Sequence, residues 1–207
     1  VRELRAVILA SASPRRLELL SSLGLRVLVM PVDVEEGPRP GVGPRDLARL
    51  HAGSKAAAAR ARIGTNVMIA ADTVVDVDGT ALGKPRDPAE ARAMLATLSG
   101  REHAVHTAFV VADGASGQTI ERCSSTRVRF AALGGDEIDA YVATGEPLDK
   151  AGAYGIQGRG AALVETIDGD FYTVMGFPLG LFVRSLPELD LYLPHAAHDV
   201  ARERAAT

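Results

Sequence analysis

The segment Ser11–Arg16 (SASPRR) carries the first polar side chains that structure alone does not call for. It follows the apolar run Arg5–Ala10 and precedes leucines at 17, 19, 20 and 23, so it sits between a strand and a helix. Ser13 suits the N-cap and Pro14 the first helical turn. Arg15 and Arg16 do not suit it: a helix start is already electropositive, and a cation there costs about 0.3–1 kcal/mol. Together with the free amides of the first turn, two guanidinium groups make a receptor for an anion. The plainer alternative is that both arginines turn into solvent or pair with a nearby acid.

Asp72 interrupts the apolar run Val67–Val75 (VMIAADTVV) with no turn residue beside it, although aspartate is depleted in strands. Held by rigid backbone, its carboxylate could bind a metal or take a proton from water. The alternative is a strand-end aspartate satisfied by backbone amides. Thr73 faces the opposite side of an extended segment unless a bulge re-aims it. Glu35 and Glu36 lie in a Pro/Gly-rich stretch and, taken alone, read as solvated loop acids. Beside Asp72 and a polyphosphate, one of them would complete an oxygen-rich magnesium site. Lys84 comes twelve residues after Asp72, across a hairpin that can bring it back to the same place. In the glycine-rich run Glu146–Gly158, Gln157 offers both a donor and an acceptor for reading the edge of a base.

The elements that must position these groups follow from hydrophobic pattern and breakers, and they alternate as in an α/β or mixed α+β sheet protein. The pattern predicts a strand at Arg5–Ala10, a helix over Arg15–Ser22 ended by Gly24, and a strand at Arg26–Pro31. After a loop over 33–44 it predicts an Ala-rich helix over Pro44–Ile63, weakened by Gly53. Val67–Leu82 reads as a hairpin turning at Asp78–Gly79, and Asp87–Pro88 caps a helix that runs to Leu98 and ends at Gly100. Two long strands, His103–Ala112 and Gln118–Phe130, precede a short helix over Gly135–Ala143 and a loop over Gly145–Gly160. Ala161–Ile167 and Phe171–Met175 read as a further hairpin, Leu179–Leu186 as a last helix, and residues from about 194 to 207 as a mobile tail. No repeat or linker divides the chain, so 1–207 is expected to be a single domain.

Composition narrows the function. The 207 residues are 47% hydrophobic and 24% charged, enough apolar material for a sizeable core. Net charge is −3, Trp is absent and aromatics are 4%, which argues against a nucleic-acid footprint or a base-stacking platform. Apolar stretches are too short to cross a bilayer, no signal-peptide pattern opens the sequence, and the lone Cys123 excludes an internal disulfide, so a cytoplasmic location is expected. Of 23 basic residues only Lys55, Lys84 and Lys150 are lysines, and lysine is the mobile point charge suited to phosphate. A P-loop motif is absent, and Gly155–Gly160 leads into an extended segment rather than the helix a dinucleotide fingerprint needs. His103 and His106 read as core or sheet-face histidines, while His195 and His198 fall in the tail.

Taken together, Leu9–Arg16 (LASASPRR), Ala71–Val75 (ADTVV), Leu82–Pro85 (LGKP), Leu98–Gly100 (LSG) with His103–Thr107 (HAVHT), and Glu146–Gly158 (EPLDKAGAYGIQG) resemble the Maf family of nucleoside triphosphate pyrophosphatases. The resemblance spans most of residues 7 to 180 and implies an elongated central mixed sheet flanked by helices, with two lobes around a cleft, akin to inosine triphosphate pyrophosphatase-like enzymes. It implies hydrolysis of a nucleoside triphosphate to monophosphate and pyrophosphate with a divalent cation, Mg²⁺ or Mn²⁺. On that pattern Asp72 matches the proton acceptor, Ser11, Arg15, Arg16, Glu36, Lys84 and Gln157 the polar positions around it, and Lys55 a helical lysine. Glu36 and Asp72 are then expected to hold the cation, and Ser11, Arg15, Arg16, Lys55, Thr73, Lys84 and Gln157 to bind substrate, Thr73 and Gln157 by choosing a pyrimidine base. The GAYGIQG run looks like the subgroup acting on dTTP and UTP, and the resemblance also suggests a homodimer. One departure is plain: residue 51 is histidine, where the family tends to have the leucine of Leu-Ala-x-x-Lys-Ala. The rival reading is a non-catalytic nucleotide-sensing regulator of cell division or septation, which would bind triphosphate without consuming it.

Overall fold

Apolar runs rich in β-branched residues become the strands of one large and one two-stranded sheet in the computed structural model, which describes residues 1–194. The strands are β1 (Arg2–Glu3), β2 (Ala6–Leu9), β3 (Arg26–Val29), β4 (Val67–Val77), β5 (Thr80–Leu82), β6 (Glu102–Asp113), β7 (Thr119–Phe130), β8 (Val164–Asp168) and β9 (Leu191–Tyr192). The α-helices are α1 (Pro14–Ser22), α2 (Pro44–Ala59), α3 (Pro88–Leu98), α4 (Gly135–Ala143), α5 (Phe171–Met175) and α6 (Leu179–Ser185). Seven strands form the mixed sheet in the order β3-β2-β4-β6-β7-β8, with β5 also paired to β4. β2 runs parallel to both β3 and β4, whereas β4, β6, β7 and β8 are antiparallel in turn. The expected mixed α/β architecture is therefore the observed one.

Helix α2 covers one face. Its Ala48, Ala52, Ala56 and Ala59 are buried against Ala70, Ala108 and Ala112 of the sheet, and small side chains on both partners let the backbones approach closely. The opposite face is bulkier. Phe109, Phe177 and Phe182 meet there with ring centroids 5.3–6.1 Å apart, beneath α1 and α6. Further along this face α3 and α4 close over Phe130 and Tyr154. The β4–β5 turn has positive φ at Asp78 (52°) and Gly79 (81°), the geometry that makes Asp-Gly a hairpin signal. Asp87 caps α3 by accepting from the Glu90 amide at 2.8 Å.

The hairpin expected from 161 to 175 does not form. β8 pairs with β7 instead, and Phe171–Met175 is helical. The run FYTVM has strand-like composition, and so short a run cannot be told from a helical turn by period alone. Its flanks decide. Asp170 Oδ2 accepts from the Thr173 amide at 2.8 Å, and Gly176, with φ 111°, closes the turn onto the Tyr172 and Thr173 carbonyls. Near the chain's end, β9 pairs with β1 and buries Leu191 and Leu193. The tail expected from about 194, with His195 and His198, lies outside the described residues. No helix among the described residues is long and apolar enough to cross a membrane.

Candidate active site

The site arises from a gap in strand pairing. β2 follows β4 only as far as Leu9 opposite Ile69, and β5 takes up β4 again at Val75 opposite Leu82. Between them the edge of β4 bearing Asp72 and Thr73 is open, beyond the carboxyl end of the parallel strand β2, where α/β sheets bind ligands. A cavity of about 1090 Å³ occupies the gap. Its walls are the start of α1, the loop around Glu36, α2, the β5–α3 connection and the Glu146–Gly158 segment. β4 stays regular through residues 72 and 73, so their side chains leave on opposite faces, and the cavity reaches both around the open edge.

On the α2 face lies a compact charged cluster. Asp72 is 5% exposed, with Lys55 Nζ 2.8 Å from its Oδ1 and His51 Nδ1 3.1 Å from its Oδ2. Lys55 Nζ also lies 2.7 Å from Glu36 Oε1, so one ammonium bridges two acids. His51 and Lys55 are one turn apart on α2 and share a face, which is how one helix supplies both donors. Burial pushes the Asp72 carboxyl up, but the His51 hydrogen bond and the charges of Lys55 and Arg16 together hold it below the ordinary carboxylate range. Asp72 is therefore an anion. The hydrogen bond to Asp72 likewise raises the His51 pKa against the opposing effect of burial.

On the opposite face Arg16 is 7% exposed and, among the described residues, bonded only to neutral oxygens. Its Nε donates to the Gly176 carbonyl at 2.9 Å, and its terminal nitrogens to Ser11 Oγ and Thr73 Oγ1, each at 3.0 Å. Thr107 donates to the Thr173 carbonyl at 2.7 Å, so Thr73 must donate to Thr107 across 2.9 Å. Thr73 thus receives from Arg16 and gives to Thr107, which leaves its hydroxyl one lone pair for a ligand. Burial lowers the Arg16 pKa, with Asp72 and Glu36 acting against it from a distance. Arg15, more exposed, lies 3.2 Å from Asp149 Oδ2, and Lys150 holds the other oxygen of that carboxylate at 2.7 Å.

The model of the Maf-like protein family matches residues 6–189. The chain belongs to the Maf family. Among its relatives, proteins named dTTP/UTP pyrophosphatase share 47% identity in Methanosarcina barkeri, over 85% of this chain and 90% of theirs, and 48% in Moorella thermoacetica, over 84% and 89%. The protein of that name in Anaeromyxobacter dehalogenans is 49% identical over 84% of this chain and 88% of its own. Among solved structures, the Staphylococcus aureus Ham1 protein aligns over 77% of this chain and 80% of its own at 18% identity, with a TM-score of 0.45.

Every candidate site residue nominated from the sequence lines this one cavity: Ser11, Arg15, Arg16, Glu36, Lys55, Asp72, Thr73, Lys84 and Gln157. Their situations differ. Lys84 and Gln157 are exposed on the wall, whereas Lys55 is committed to the two acids. Glu36 reaches the cluster, and Glu35 does not line the cavity. Glu146 anchors the loop that presents Gln157, accepting from Tyr141 Oη and from the Arg159 and Gly160 amides at 3.0–3.2 Å. Gly160 is required there, because a Cβ would lie 2.3 Å from the Gly155 carbonyl oxygen. Two residues escaped the sequence reading, His51 and Asp149. The signal for His51 was its i, i+4 spacing from Lys55; for Asp149, which meets Arg15 from a distant loop, no local signal exists.

Proposed function

We propose that this chain hydrolyses nucleoside triphosphates, with dTTP and UTP as substrates, to the nucleoside monophosphate and pyrophosphate. One observation carries the reading: a single open strand edge presents on one face a buried carboxylate held ionised and on the other a buried guanidinium that, among the described residues, is answered only by neutral oxygens. Such a guanidinium keeps its field for an anionic ligand. The names of relatives near 48% identity support the choice of thymine and uracil nucleotides.

Arg15, Arg16, Lys84 and the first amides of α1 neutralise the triphosphate and fix the α-phosphorus near Asp72. Asp72 orients a water molecule and accepts its proton. The water oxygen bonds to the α-phosphorus as the bond from that phosphorus to the α–β bridging oxygen breaks, and pyrophosphate leaves. Arg15 exchanges the exposed Asp149 carboxylate for phosphate oxygens. Gln157 on the opposite wall pairs with the base.

A divalent cation, Mg²⁺ or Mn²⁺, fits the donor set. Glu36 and Asp72 oxygens already converge on one cationic point, now the Lys55 ammonium. Among the described residues no three His, Cys, Asp or Glu side chains could by themselves hold a metal, so Glu36 and Asp72 would hold it with phosphate oxygens and water, as magnesium prefers. Such a cation supplies charge neutralisation on the phosphoryl oxygens.

The test is incubation with UTP and dTTP. Wild type should release pyrophosphate, EDTA should stop release and Mg²⁺ restore it. Asp72→Asn should lose kcat by about a thousandfold while still binding nucleotide. Orthophosphate as the product would move the reaction to the β–γ bond, and binding without turnover would favour the nucleotide-sensing regulator.

A further inference from the structure

We infer that His51 is a positioning residue for Asp72, one that fixes the carboxylate and ties the Glu36 loop to it. The inference rests on the hydrolase reading above and adds a residue to it. His51 is 4% exposed, and both of its ring nitrogens face acceptors: Asp72 Oδ2 lies 3.1 Å from Nδ1, and the Gly37 carbonyl 3.1 Å from Nε2. Lys55 holds the other carboxylate oxygen.

A carboxylate gripped through one oxygen can still swing about its Cβ–Cγ bond. Gripped through both, by two donors of one rigid helix, its plane is set. The contact to Gly37 matters for a second reason. Residues 31–39 form no regular structure, and Gly37 adjoins Glu36, the other acid of the cluster. One imidazole therefore spans the loop and the strand, and sets Glu36 and Asp72 relative to each other. Leucine at this position, as in the family pattern, could fill the volume but would leave Lys55 alone on the carboxylate.

The role predicts a ranking that packing alone would reverse. Asparagine places an amide N–H near the site of Nδ1 but is smaller than histidine; leucine is closer in size but donates nothing. Full-length His51→Leu should lose kcat for UTP and dTTP by roughly tenfold to a hundredfold with KM within about twofold, the scale seen when a partner that orients a reacting group is removed. His51→Asn should recover most of that kcat. A residue that only packs would leave His51→Leu the better of the two, and that ranking, or a leucine variant with wild-type kcat, overturns the inference.

Histidine-selective ¹⁵N NMR gives a readout independent of turnover. In wild type the His51 Nδ1 should carry a proton whose resonance moves in Asp72→Ala. An Nδ1 without a proton, or one indifferent to Asp72→Ala, overturns the inference. Failure of wild type to release pyrophosphate would remove the hydrolase reading instead, and the NMR result would still decide whether His51 holds the carboxylate.

Discussion

His51 and His103 are equally buried, at 4% and 3% exposure, on opposite faces of the same sheet, yet their pKa values move in opposite directions. His51 faces a carboxylate, which raises it. His103 has its Nε2 2.7 Å from the Tyr154 hydroxyl, no partner for Nδ1 among the described residues and two aromatic neighbours, so burial pushes it down to about 4. The contrast extends to the whole neighbourhood. At the cleft, the buried charges on the α2 face are answered by opposite ones, while on the other face Arg16 and His103 meet neutral oxygens. A buried group among neutral partners stays uncharged if it can, as His103 does. Arg16 cannot, and so presents its charge to the cleft.

The sharpest way to break this contrast is to remove a cation from the paired face. Lys55→Met leaves Glu36 and Asp72 without the ammonium between them, and stripping one partner from a buried pair costs about 3 kcal/mol. Urea denaturation should show that loss. Adding Asp72→Asn to Lys55→Met should recover much of it, because the two changes remove opposite charges from one network. Strictly additive effects would mean that the cluster is not held together by pairing.

Acid titration of stability tests the unpaired face. The folded pKa of His103 lies below the ordinary 6.5, so as pH falls the unfolded chain takes the proton first. The stability that neutral His103 contributes is complete above pH 6.5 and drains away toward pH 4, amounting to roughly 2 kcal/mol between pH 7.5 and 5. His51 works the other way and above this window: with a raised folded pKa, its contribution is lost as pH rises through that value. Wild type should therefore lose about 2 kcal/mol more than His103→Gln on going to pH 5. Parallel stability curves for the two proteins would show that His103 is not held neutral.

Much of this scaffold was legible where one short stretch carried both pattern and punctuation. Asp87–Pro88 before an alanine-rich run and Asp78–Gly79 between apolar runs mark a helix start and a hairpin through local backbone chemistry, and both stand in the structure. Phe171–Met175 misled because its aromatic and β-branched content outweighed the Asp170 cap that decides its shape. β1 and β9 are two residues each and exist only because segments far apart in the chain meet, which no local pattern records. In the site, charged residues in unfavourable surroundings (Arg16 at a helix start, Asp72 inside a strand) announced themselves. His51 did not, since a histidine on a buried helix face is ordinary until the strand opposite is known to carry an acid.

The smallest predicted effect separates the charge of Arg16 from its shape. Arg16→Lys keeps a cation on the neutral face but replaces a planar fork with a single head, which cannot meet the Gly176 carbonyl and the Ser11 and Thr73 hydroxyls together. The hydroxyl chain beyond Thr73 should survive, because Thr107 still donates to the Thr173 carbonyl and still accepts from Thr73. The damage then stays at the cleft: a retained charge, less firmly aimed. KM for UTP should rise by roughly tenfold, the loss of about one charge-assisted hydrogen bond, with kcat little changed. An unchanged KM would show that any cation suffices on this face; a collapse of kcat would place the guanidinium at the reacting phosphorus, so that the neutral face shares in the chemistry as well as in binding.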